Sequence, residues 1–301
     1  MVEPPLSGTR PVLQIELCVS SSGAYPVEAR SGVKTATFLK RGGRLKSIKH
    51  QLGDWERIEI LPLADLHIGD LRSDGQKITE WLSYIRETEN CFTILNGDLM
   101  NTAIKSSVSD TYAETLSPML QLEQCVKLFE PLREKILCVT GGNHERRIWR
   151  QDGIDTTQLM CDQLQIGDRY APESAVLFVQ FGDQGGHRNH WPVLYSLYVT
   201  HGSGGGRKEG GKVNRLVELA SIVDCDIYIH SHVHSPAIVR NSYFRTDSRK
   251  CTVRKVDKLF VNTASSLEYG GYGEIASYKP NSLETPMIIL SGRTHRMQAI
   301  L

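Results

Sequence analysis

Cys91-Phe92-Thr93-Ile94-Leu95-Asn96-Gly97-Asp98 is an apolar run that stops abruptly on a Gly-Asp turn. A short apolar run bounded by turn residues reads as a buried strand. Asp98 then sits where the strand runs out, at the carboxyl edge where open α/β sheets place their ligands. Working outward, four other predicted strand ends also carry Asp, Asn or His. Residues 58–63 run into Asp65-Leu66-His67, and residues 136–140 into Gly141-Gly142-Asn143-His144-Glu145. Residues 193–200 end on His201, and residues 227–229 on His230-Ser231-His232-Val233-His234.

Helical patterns separate these strands. Residues 73–88 carry Ile78, Trp81, Leu82 and Ile85 at helical spacing. Residues 112–132 carry Leu116, Met119, Leu120, Leu122 and Val126, with Pro118 either kinking the helix or marking its start. Strand, helix, strand, helix, strand predicts a layered α/β domain. Further on, a helix is expected over 155–164 and another over 214–223. Strands over 175–181 and 193–200 are joined by a long hairpin loop, and segments 237–240, 258–262 and 287–290 suggest a closing β layer. Residues 1–55 read differently, as a β-rich N-terminal extension with strands over 12–17 and 34–39 and a hairpin turn at Arg41-Gly42-Gly43-Arg44. Its basic residues Arg41, Arg44, Lys46 and Lys49 suit either a phosphate backbone or a solvated face. The main domain is expected over 56–301.

The chain of 301 residues, 40% hydrophobic and 23% charged, has ordinary globular composition and room for a sizeable core. A net charge of +1 does not suggest a nucleic-acid binder on global charge alone. The seven cysteines are scattered, odd in number and without a CxxC pair. That spacing argues for free thiols in a reducing compartment, against both a disulfide framework and a cysteine zinc site. No apolar run approaches a membrane span, and residues near Glu3 do not read as a signal peptide. A soluble, cytoplasmic protein with no membrane partner is expected.

The five strand ends supply eight candidate donors: Asp65, His67, Asp98, Asn143, His144, His201, His232 and His234. Carboxylate and imidazole suit divalent manganese, iron or zinc. Two residues separated by one in an extended segment point the same way, so Asp65 and His67 can reach one centre, and likewise His232 and His234. His230-x-His232 is a competing register; Pro236 and a strand over 227–229 favour His232-x-His234. So many donors exceed one tetrahedral ion. Two ions sharing Asp98 would use them, and such a pair, about 3.5–4 Å apart, clamps the oxygens of phosphoryl transfer and activates water. Taken singly, each piece has a plainer reading as a cap or loop residue; the joint pattern is what points to a metal site.

Asp65-x-His67, Gly97-Asp98, Gly142-Asn143-His144-Glu145, His201 and His232-x-His234 resemble, in order, the five motifs of the calcineurin-like metallophosphoesterases, over about residues 57–236. The resemblance implies a two-layered β-sandwich flanked by helices, an α/β (α+β) fold with its site at the strand ends. It assigns Asp65, His67, Asp98 and His234 to one divalent ion, and Asp98, Asn143, His201 and His232 to a second. Manganese is the expected metal, with iron, zinc or magnesium as alternatives. His144 is implied to be catalytic rather than a ligand, stabilising the transition state or protonating the leaving oxygen. Ser231 stands where the family has a glycine. The segment after Asp98 lacks the acidic and arginine residues of serine/threonine protein phosphatases, which points away from that branch.

Arg146 and Arg147 follow the Asn-His motif and Arg207 and Lys208 follow His201, a positive rim suited to phosphates or ordinary surface charge. The glycine-rich stretch after His201 lacks the ending of a P-loop. With the Gly-Gly-Asn-His-Glu-Arg segment, it is also similar to metallophosphoesterases carried by bacteriophages and mobile elements. Residues 262–266 with Tyr269 and Tyr272 are candidates to line the cleft, by base stacking or as sheet packing. The expected function is a two-metal phosphodiesterase or nuclease on DNA, other nucleic acid or nucleotides. The alternatives are a phosphomonoesterase on a small or protein substrate, or a non-catalytic nucleic-acid-binding subunit.

Overall fold

Strands with alternating apolar residues on two buried faces assemble into two mixed sheets in the computed structural model, which describes residues 45–105, 107, 111–182 and 192–301. In the first sheet the order is β12 (Met297–Ile300), β11 (Met287–Ser291), β2 (Arg57–Leu63), β3 (Cys91–Asn96), β4 (Ile136–Thr140), β5 (Tyr170–Ala171). In the second it is β1 (Lys46–Gln51), β6 (Ser174–Gln180), β7 (Leu194–Thr200), β8 (Ile227–His230), β10 (Thr252–Asn262), β9 (Ala237–Asp247). The strands β2 to β5 are parallel, as are β7, β8 and β10, so their carboxyl ends gather at two edges.

Period-two alternation sets the layers. Ile58 and Ile60 of β2 and Phe92 and Ile94 of β3 face the second sheet, meeting Leu177, Leu197, Ile227 and Leu259. Leu61, Leu63, Cys91 and Leu95 point the other way, onto helices. These are α1 (Gly75–Glu87), capped by the Asp74 carboxylate, and α2 (Pro118–Phe129), capped by Ser117. Behind the second sheet, Leu216 of α5 (Glu209–Glu218) packs with Tyr198, Tyr228 and Phe260. The result is helix, sheet, sheet, helix, the flanked sandwich expected from the sequence.

Several local readings change. Pro118 opens α2, where its missing N–H costs nothing. Residues Glu209 to Gly211, read as loop, are the first turn of α5. The closing β layer does not exist as one layer: Ala237–Asp247 and Thr252–Asn262 extend the second sheet, whereas Met287–Ser291 joins the first. Lys46–Gln51, read as part of the extension, is the edge strand of the second sheet, parallel to β6 in unbroken register from Lys46–Ala175 to Gln51–Gln180. The strands expected over 12–17 and 34–39, the turn at 41–44 and most of the loop after Gly182 lie outside the described residues. The remaining α-helices are α3 (Glu145–Asp152), α4 (Thr156–Gln163) and α6 (Gly271–Ile275).

Candidate metal centre

At the carboxyl edge, the chain leaves β2, β3 and β8 through left-handed backbone. Asp65 (φ 52°), His67 (46°), Asp98 (50°), His232 (68°) and His234 (49°) all lie in a region that non-glycine residues seldom occupy. Such residues cost on the order of 1–3 kcal/mol each and persist where the surroundings over-determine them. Asp65 and His67 therefore do not converge as alternate residues of an extended segment; kinked loops turn them toward each other. Close approach of the β3 and β4 ends requires glycine. A Cβ on Gly142 would sit 2.1 Å from the Asp98 amide nitrogen, and one on Gly97 2.7 Å from Gly142.

Three groups of donor atoms result, each within 4.8 Å of one another: Asp65, His67 and His234; Asp98, His201 and His232; and His67, Asp98 and His144. His234 Nε2 lies 3.1 Å from Asp65 Oδ1 and 3.3 Å from His67 Nε2. His201 Nε2 is 3.2 Å from both Asp98 Oδ2 and the Asn143 side-chain oxygen. His232 and His234 thus fall in different groups, against the expectation that one spacing sends both to one centre. His230 belongs to none of the three groups; it is buried against Asn262 (3.0 Å).

The donor set fits a divalent cation. His67 donates Nδ1–H to the Asn101 side chain (3.2 Å) and His201 donates Nδ1–H to the Asn96 carbonyl (2.7 Å). Both rings are thereby held with Nε2 turned inward, free to bind a cation once it gives up any proton, the outer-shell pattern of metal-ligating histidines. Asp65 and Asp98 are fully buried side by side. Burial opposes their ionisation, yet His234 and His201 hold Asp65 at about 2, while His201 and His144 hold Asp98 well below the usual carboxylate range. Burial opposes a charge on His201 too, but Asp98 overcomes it and lifts the imidazole to about 10. Two buried carboxylates demand positive charge, and His201 is drawn into supplying it.

A backbone frame fixes the loops. The Glu145 carboxylate accepts from the amides of Asp98 (3.1 Å), Leu99 (2.6 Å), Met100 (3.0 Å) and Gly142 (3.1 Å). The amides of His144 and His232 donate to Asp98 and Asp65. Ser231, in the family's glycine position, is fully buried: its Oγ accepts from Asn96 (2.6 Å) and Thr263 (2.8 Å), tying the sheet ends together. Ser265 and Ser266 brace the Asp65 loop by donating to the carbonyls of Asp65 and Leu66. Residues 263–266 are therefore buried support rather than cleft lining, whereas Tyr269 is half exposed. Asn96, Asn101 and Glu145 carry roles that the sequence reading did not assign. Asn96 and Glu145 both lie in motifs already quoted, and Asn101 follows Asp98 by three.

His144 donates Nδ1–H to the Asn101 carbonyl (3.0 Å) and lies with Nε2 3.7 Å from Asp98 Oδ2. Arg147 Nη2 donates to that Nε2 at 2.9 Å, so Arg147 turns toward the histidine. Arg146 donates to the Pro172 carbonyl (3.0 Å), and Arg207 and Lys208 are exposed at the start of α5.

Buried carboxylates and inward-facing imidazoles at the strand ends of a four-layer sandwich define a metal-binding α/β protein. A family model for calcineurin-like phosphoesterases matches residues 63–236. The chain belongs to that family and is a metal-dependent phosphoric ester hydrolase. No curated protein matches the chain. Among solved structures, it is similar to a conserved uncharacterized protein, a predicted phosphoesterase, from Streptococcus pneumoniae TIGR4 (15% identity over 81% of this chain and 97% of that one, TM-score 0.32). It is also similar to the nuclease MPE of Pseudomonas putida (15%, 80% and 87%, 0.32) and to the calcineurin-like phosphoesterase YfkN of Bacillus subtilis (11%, 81% and 90%, 0.35). No helix among the described residues is long and apolar enough to cross a membrane.

Proposed function

We propose that the chain is a two-metal phosphodiesterase acting on nucleic-acid or nucleotide diesters. The observation that carries this reading is the adjacency of two donor groups, Asp65/His67/His234 and Asp98/His201/His232, with Asp98 also grouped with His67. In this reading Asp65, His67, Asp98 and His234 hold one ion, Asp98, Asn143, His201 and His232 the other, and Asp98 is shared. Bound divalent ions, manganese first among them, neutralise phosphate charge and activate water. His144, anchored through Nδ1 on the Asn101 carbonyl, turns Nε2 toward the same centre, where, once that nitrogen exchanges Arg147 for a proton, it stabilises the transition state or protonates the leaving oxygen. Arg147 orients that ring, and Arg146, Arg207 and Lys208 form a cationic rim for the substrate. Buried free cysteines, at positions 91, 125, 138, 161 and 225, suit the reducing cytoplasm.

The test is manganese-dependent hydrolysis of bis-p-nitrophenyl phosphate beside the monoester, with metal content measured on the same sample. Faster diester cleavage is expected. Preference for the monoester would make it a phosphomonoesterase. A folded protein that takes up manganese without cleaving either ester would be a binding subunit.

A further inference from the structure

The hairpin β9–β10 outgrows its sheet. β10 pairs with β8 only from Leu259 to Asn262, so residues 252–258 have β9 as their sole hydrogen-bonded strand partner among the described residues. A two-stranded ribbon buries little and is marginal by itself. This one is also strongly cationic. From Arg240 to Asp257 there are six Lys or Arg against two Asp, a net +4, while the whole chain carries +1. The remaining residues therefore sum to a net −3.

Two of the six cations are spent on internal pairing, Arg240 with Asp257 (3.7 Å) and Arg245 with Asp224, and the other four are not. Arg249, Lys250, Arg254 and Lys255 are exposed, and no carboxylate among the described residues lies within ion-pair distance of them. Arg254 sits directly across the ladder from Arg245, a like-charge pair that destabilises a hairpin. Asp224 compensates Arg245 at 2.7 Å and leaves Arg254 uncompensated. On the opposite face, period-two alternation aligns Arg240, Phe244, Val253 and Lys255. Phe244 is 81% exposed and Val253 63%. At the foot of the arm, between it and the β11–β12 pair, opens a cleft of about 1270 Å³ in which Arg57, Arg240, Arg245, Arg254, Lys255 and Arg296 outnumber Glu56, Asp226 and Asp257.

Cations flanking an exposed ring are the chemistry that takes a phosphate backbone and stacks its bases. We infer that the β9–β10 arm and the cleft at its foot are a second binding surface for single-stranded nucleic acid, remote from the metal centre. Val253 lies nine residues from Asn262, which touches the His230 at the end of β8; at about 3.3 Å per residue that is roughly 30 Å. A strand must therefore exceed about nine nucleotides at a stacked 3.4 Å spacing to span both surfaces. The inference deepens the phosphodiesterase reading, supplying a length preference that the metal centre alone lacks. A second copy of this chain is the competing occupant; it would need an acidic patch to match.

The test is fluorescence-anisotropy titration of an oligothymidylate of about 30 nucleotides at several salt concentrations. Wild type is compared with Arg254→Glu/Lys255→Glu and with Phe244→Ala, melting temperature serving as the fold check. The double variant is expected to weaken binding at least about tenfold, and its log–log salt slope to fall by about 1.4 for two lost phosphate contacts. Phe244→Ala is expected to weaken binding about fivefold or more without changing that slope, because it removes stacking and no charge. Wild-type affinity in either folded variant, or no binding by wild type, overturns the inference, as does a variant that dissociates a dimer yet binds DNA normally. Wild-type hydrolysis of bis-p-nitrophenyl phosphate is scored separately: binding through the arm without diester hydrolysis would leave the arm standing and remove the phosphodiesterase reading.

Discussion

Asp98 belongs to two of the three donor groups. One carboxylate oxygen accepts the His144 amide at 2.8 Å, and the other faces His201 at 3.2 Å and His144 at 3.7 Å. If it is the shared ligand, Asp98→Asn removes a charge from both ions, whereas His67→Ala removes one neutral donor from one. Metal analysis of dialysed protein is expected to find Asp98→Asn depleted of both ions and His67→Ala of chiefly one. Two tightly bound ions in Asp98→Asn would show the bridge to be misassigned. The partner experiment is His144→Ala. Its kcat on a diester is expected to fall by about 10²–10⁴, the usual worth of a general acid, with metal content retained. Undiminished turnover removes His144 from the chemistry.

At the scale of elements, the edge strand β1 carries a titration switch far from the donors. The register between β3 and β4 shifts after Thr93, leaving Leu137 as an extra residue whose carbonyl accepts His50 Nε2–H at 2.7 Å. Burial, with help from Arg169, depresses His50 to about 4 from 6.5. A depressed histidine stabilises the fold fully above its unfolded pKa and withdraws that contribution as pH falls toward the folded value. At about 1.4 kcal/mol per unit the loss is about 3 kcal/mol between pH 6.5 and 4. Melting temperature against pH is expected to drop over this window in wild type. The slope should be shallower in His50→Gln, whose amide still donates to Leu137 and does not titrate. Parallel slopes would assign the acid loss to other groups. The pattern of the core helices was legible because α1 and α2 are amphipathic and carry Asp74, Ser117 and Pro118 at their starts. The outer half of β9–β10 was not: Tyr243 and Phe244 are adjacent and Val253 and Val256 three apart, so with no fully buried face no period of two is imprinted. The start of α5 was hidden by Gly210 and Gly211, poor helix formers that look like loop.

For the molecule as a whole, the motif residues were readable as donors because carboxylate and imidazole at successive strand ends are chemically unusual. Spacing alone did not give their grouping, which only the family resemblance implied, since it depends on left-handed turns at Asp65, Asp98, His232 and His234 and on which sheet each strand joins. The partition between sheets rests on pairings distant in sequence, such as Lys46 with Ala175, which local periodicity does not encode. That partition has a thermodynamic consequence. Asp65, His67, Asp98 and Asn143 follow strands of the first sheet, and His201, His232 and His234 follow strands of the second. Under the proposed assignment, ions held jointly by these residues would bind only when both sheets are in place, and their binding free energy would add to the stability of the sandwich. An ion present at a hundred times its dissociation constant contributes about 2.7 kcal/mol. At roughly 2–4 °C per kcal/mol for a domain of this size, manganese is expected to raise the melting temperature of the chelated protein by about 5–10 °C. Asp98→Asn should lose most of that rise. Calorimetric scans with chelator and with manganese decide it: the same midpoint in both would mean that the two sheets do not share a metal.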